Sequence, residues 1–131
     1  MTPEQKIKHA ILVQAAIWDG VEIGEVTSEN VDQRWDGYGN PSSICEAANA
    51  IRNRFDEETD IPCQWSRQYE SKSVAAKMPD GSWVGWTYRY WYGGGKHGEP
   101  EAIDWMDDAY DLACTEEEKV VIVRTFSKAS Q

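Results

Sequence analysis

The chain has 131 residues and a mass of 14.9 kDa, enough for one domain, and its 40% apolar residues are enough to build a core. Thirteen basic against 23 acidic residues give a formal charge of −10. That balance argues against nucleic acid and anionic membrane as direct partners, because both are bound through clustered Lys and Arg.

The opening Thr2-Pro3-Glu4-Gln5 predicts a helix start, with Thr2 as N-cap, Pro3 in the first turn and Gln5 completing a capping box. Ile7, Ala10, Ile11 and Trp18 follow at helical spacing, and Asp19-Gly20 stops the pattern. No basic start with an apolar h-region is present here, and the apolar stretch 10–18 is about half of a membrane span. The region from Val21 to Pro41 has no sustained period and reads mostly as loop, with a short strand near Val21–Val26 as an option. Its tip, Arg34-Trp35-Asp36-Gly37-Tyr38, combines turn formers with large aromatics, which loops seldom carry unless those rings pack or bind.

A second helix is predicted from Asn40 or Ser42, with Ile44, Ala47, Ala48, Ile51 and Phe55 as its apolar stripe. Cys45 is read as lying within the helix stripe and is expected to be a buried small apolar side chain. The run Asp56–Asp60 and then Pro62 end the helix. Beyond Cys63 the period shortens. Gln64–Met78 is β-compatible, Pro79-Asp80-Gly81-Ser82 is a turn, and Trp83–Tyr92 alternates as a strand. Val84, Trp86, Tyr88 and Tyr90 share one face of it, and Trp83, Gly85, Thr87 and Arg89 the other, so a central strand is expected. Gly93–Gly98 breaks that strand, and a short helix is expected from Pro100 to about Asp107. The last elements read as a hairpin of Ala109–Thr115 and Lys119–Ser127, with Val120-Val121-Ile122-Val123 as its strongest β signal. A helix continuing through Ala113 is the competing reading. The expected fold is a single α+β domain over 1–131: two or three helices on an antiparallel sheet of about four strands.

The charge is local. Residues 99–118 hold nine acidic and no basic side chains, so the rest of the chain is close to neutral. In a helix over 104–111, Asp104, Asp107, Asp108 and Asp111 would share one face and repel one another. Such a face suits bulk solvent, a basic protein partner that it holds in place of nucleic acid, or a divalent cation. The cation has the least support, since no calcium-loop motif accompanies the carboxylates.

Other catalytic signatures are weak. Lys96 is followed by His97, without the Ser or Thr of a phosphate loop, and neither GxSxG nor HExxH occurs. Cys45, Cys63 and Cys114 are widely spaced and odd in number, which suits reduced thiols in the cytoplasm better than a disulfide framework or a zinc ribbon. No cofactor or metal is implied. Six of the ten residues 83–92 are aromatic, which serves either a core or a protein interface.

The block Trp86-Thr87-Tyr88-Arg89-Tyr90-Trp91-Tyr92-Gly93-Gly94-Gly95-Lys96-His97-Gly98-Glu99-Pro100, with Ile103-Asp104-Trp105 and Val121–Phe126, resembles a segment of small accessory proteins of enterobacterial tailed phages and prophages. The resemblance covers about the last third of the chain. It implies a product acting in the host cytoplasm, often by binding and blocking a host protein, and it brings no catalytic residues. The expected role is therefore a non-enzymatic module that binds a protein with a basic surface through Trp86, Tyr88 and Tyr90 and through Glu99, Glu101, Asp104, Asp107, Asp108 and Asp111. Two alternatives stay open: an enzyme or ligand-binding domain with an aromatic pocket near His97 and Glu99, and a homo-oligomeric assembly protein.

Overall fold

In a computed structural model that describes residues 1–63, 69–91 and 105–129, three helices pack against a four-stranded antiparallel sheet. Helix α1 spans Pro3–Asp19, α2 Val31–Asp36 and α3 Pro41–Asn53. The strands are β1 Glu57–Glu58, β2 Tyr69–Lys77, β3 Trp83–Trp91 and β4 Tyr110–Leu112, in the order β1-β2-β3-β4. The arrangement is α+β, as the sequence pattern predicts.

Local chemistry sets both ends of α1. The Thr2 hydroxyl accepts the Gln5 N–H at 3.2 Å, and the Gln5 side chain accepts the Thr2 N–H at 2.9 Å, which satisfies two otherwise orphaned donors. At the other end Gly20 adopts φ 66°, and the Val21 N–H turns back to the Ala16 carbonyl at 3.1 Å. Between these caps Ile7, Ala10, Ile11, Leu12, Ala15 and Ala16 are buried. Trp18 is 46% exposed, contrary to the core position its helical spacing suggests.

The hairpin of β2 and β3 is the spine of the sheet, in register from Tyr69 opposite Trp91 to Lys77 opposite Trp83. Its turn closes through Met78 N–H to the Ser82 carbonyl at 2.8 Å, with Gly81 at φ 87°. The Asp80 carboxylate accepts from the Ser82 hydroxyl and N–H, and those bonds hold its pKa below the usual carboxylate value. Val74, Val84 and Trp86 are fully buried on the helix side, together with Ile7, Ile11 and Ala47. Fully burying an aliphatic side chain of this size contributes about 1.5–3 kcal/mol, so this layer supplies most of the drive to fold.

Other expectations change too: where the helix expected from Pro100 to about Asp107 is described, at 105–107, the chain forms a turn, its earlier part lying outside the described residues. The Val21–Val26 stretch forms no strand, and the region read as loop contains helix α2. It is held from outside: Val31 is buried against Leu12 and Val26, Thr27 and Asn30 exchange side-chain-to-backbone bonds, and the Arg34 guanidinium donates to the Ile23 carbonyl. The terminal hairpin is half present. Tyr110–Leu112 pairs with β3, ruling out a helix there, while 119–127 has no regular structure. Finally, Cys45 is exposed because it sits one residue off the stripe of buried Ala47 and partly buried Ile44 and Ala48.

Candidate partner-binding surface

Strand β3 places its aromatic side chains unequally. Trp86 is 0% exposed, its ring 5.1 Å from that of Trp105, among Val74, Val84 and the α1 stripe. A ring sealed in this way touches no partner and lines no open pocket, so Trp86 is withdrawn from the expected binding face. Its indole nitrogen has no hydrogen-bond partner among the described residues. Tyr88, two residues on, is half-buried. Phe55 meets its ring edge-on at 5.4 Å, the Arg52 guanidinium lies 4.7 Å from its centroid and the Lys72 ammonium 5.6 Å. Arg52 also donates to the Arg89 carbonyl, tying α3 to β3. Tyr88 thus works as a packing element at the sheet end. The side chain of Tyr90 lies outside the described residues, as do Glu99, Glu101, Asp104, His97 and the whole glycine segment 93–98.

Among the described residues, Asp107, Asp108 and Asp111 do not share one helical face. Residues 105–108 form a turn and β4 follows, which separates the carboxylates that a helix would stack. Asp108 pairs with Arg89 at 3.3 Å, and Asp111 pairs with Lys6 of α1 at 2.8 Å. By register Asp111 lies opposite Val84 and shares its helix-side face, whereas Tyr110 lies opposite Gly85 and Leu112 opposite Trp83 on the other. The side chains of Asp108 and Asp111 remain 47% and 57% exposed even so, and Asp107 is exposed beside them. Glu116, Glu117 and Glu118 continue the negative surface along an exposed, irregular stretch. Pairs this exposed are each worth about 0–1 kcal/mol, so most of their charge stays available to a partner.

Beyond the acidic stretch lies a feature that sequence reasoning assigned to a strand. Val120, Val121, Ile122, Val123 and Phe126 are 97%, 75%, 72%, 82% and 86% exposed. Isolated exposed apolar residues are ordinary, but five within seven positions make a continuous sticky segment.

A concave region lies apart from the acidic stretch in the sequence. A cleft of about 500 Å³ opens between the end of α1 and α2, with Leu12, Ile23, Asn30, Gln33, Arg34 and Tyr38 on its walls. The Tyr38 hydroxyl donates to Asp19 at 2.6 Å and the Ser43 hydroxyl donates to the same carboxylate at 2.7 Å. These bonds pull the Asp19 pKa down, while burial and then Asp19 itself push the Tyr38 phenol up to about 12. Every strong polar contact here joins one chain segment to another, which suits a structural clasp. The aromatics at the tip of the 21–41 region are explained the same way: Trp35 packs on the core and Tyr38 ties down Asp19.

No family model, curated protein or solved structure matches the chain. No helix among the described residues is long and apolar enough to cross a membrane, and no three of their His, Cys, Asp or Glu side chains converge to hold a metal ion.

Proposed function

We propose that this chain is a non-enzymatic protein-binding domain whose contact surface is its acidic C-terminal part, in keeping with the accessory-protein class that residues 86–126 resemble. The partner presents a basic surface. The carrying observation is the exposed set Asp107, Asp108, Asp111 and Glu116–Glu118, in a window of the sequence that holds no Lys or Arg. A single-sign field of this kind steers a cationic partner and sets its orientation, while repelling nucleic acid. Binding competes with the internal pairs from Lys6 and Arg89, a small cost because the Asp111 and Asp108 carboxylates remain 57% and 47% exposed in them. The aromatic contribution once expected from Trp86 is dropped, because its ring is buried.

The test is capture from an enterobacterial lysate in low salt, with the wild type beside a variant carrying Asn at Asp104, Asp107, Asp108 and Asp111. A stoichiometric basic protein retained by the wild type and lost by the variant is the expected result. The variant should keep its circular dichroism spectrum and melting temperature within a few degrees. Equal capture by both, or no partner for either, overturns the reading.

A further inference from the structure

We infer that residues 116–126 form an antiparallel strand pair with the same residues of a second copy of this chain, making the protein a dimer through its C-terminal segment. Val120-Val121-Ile122-Val123 is the chain's strongest β-forming run, yet it pairs with no strand among the described residues and stands 72–97% exposed. A β-branched run with open backbone edges is a template for another strand.

The order of charges says which strand. Glu116-Glu117-Glu118 and then a single Lys119 precede the apolar run, and Arg124 and Lys128 follow it. Parallel pairing of two copies in register would set Glu118 against Glu118 and Arg124 against Arg124, which is repulsive. Antiparallel pairing sets the acidic head of each copy against the basic tail of the other. Two-fold symmetry then requires that one residue face itself, since side chains alternate sides along each strand. With Val121 facing Val121, Val120 meets Ile122 and Glu118 meets Arg124. The apolar pairs fall at the centre, Lys119 meets Val123 next to them, and the opposite-charge pair Glu118–Arg124 follows at each end. The strand pair shares Glu116–Glu118 with the proposed partner surface but uses none of Asp107, Asp108 and Asp111, so the variants at 118 and 124 test it apart from that reading.

A bare two-stranded ribbon is marginal in water, so a weak dimer is expected. Sedimentation equilibrium of the full chain over about 1–500 μM should show monomer passing to dimer, the range in which a small interface associates. Glu118→Arg and Arg124→Glu should each weaken that dimer by about tenfold, because two symmetric pairs become repulsive. The double variant, with both charges exchanged, should restore it. All of these positions are exposed, so the fold of the monomer is not at stake. A wild type that stays monomeric overturns the inference, as does a dimer that survives removal of residues 116–131. Single variants that associate normally, or a double variant that is not rescued, overturn the proposed register.

Discussion

Two apolar runs of this chain, both rich in strand formers, end in opposite environments. Val84 and Trp86 of β3 are 0% exposed, while Val120 and Val123 are 97% and 82% exposed. Hydrophobicity does not separate them, since Val occurs in both. What differs is the neighbourhood that the preceding residues build. β3 follows a tight, self-closing turn at Asp80–Ser82 that delivers it onto β2, and α1 and α3 then cover one face. The terminal run follows three consecutive glutamates and a lysine, with no turn to return it to the sheet. A strand needs an edge within reach as well as a pattern, and only the first run has one.

Shortening Trp86 to Ala is the most severe way to probe the buried side of that contrast. The indole fills the space between Trp105 and the α1 stripe, so Trp86→Ala should cost about 3–5 kcal/mol by loss of transfer energy and creation of a cavity. Denaturant unfolding followed by Trp fluorescence measures it. A loss below about 1 kcal/mol would mean that β3 is no better buried than the tail.

The junction between the two regions is β4, and Gly85 controls it. A Cβ at Gly85 would lie 2.7 Å from the Tyr110 ring and 2.9 Å from the Leu112 side chain. Gly85→Ala should therefore push β4 outward at a cost of about 1–3 kcal/mol. Amide exchange at residues 110–112 should accelerate first, since that strand has three pairs to lose. Exchange that speeds uniformly across the hairpin instead would show that β4 is not a separable edge.

The legible parts of the fold are those whose causes are local. The Thr2–Gln5 box, the stripe of α3 and the Asp80-Gly81 turn are each complete within a few residues, and each stands where the pattern puts it. Helix α2 was hidden because its six residues have no period, and its stability comes from Leu12, Val26 and the Ile23 carbonyl. Strand β1 was hidden for the opposite reason: Glu57-Glu58 reads as a solvated break, yet its backbone pairs with Val74 and Ala75. At the candidate surface the local excess of carboxylates was readable, but their arrangement was not. Whether Asp108 and Asp111 stack on one helix or part to Arg89 and Lys6 depends on where β4 docks, which spacing alone does not encode. Trp86 failed as a contact residue for the same reason, since alternation assigns it a face without saying what covers that face.

The gentlest probe falls on the exposed side. Ile122→Ser removes the same class of apolar side chain that is costly to lose from α1, but from a position that is 72% exposed. Measured below the concentration at which copies associate, the change in unfolding free energy should stay within about 0.5 kcal/mol. The unfolded chain exposes this residue as the native monomer does, so there is little transfer energy to lose. At high concentration the same substitution should lower the midpoint relative to wild type, because an assembly stabilises only what it binds. A loss of 2 kcal/mol or more in the dilute monomer, the size expected for a core aliphatic, would place the run against the chain's own sheet. The contrast between the two runs would then vanish, and with it the reason to look for a second copy.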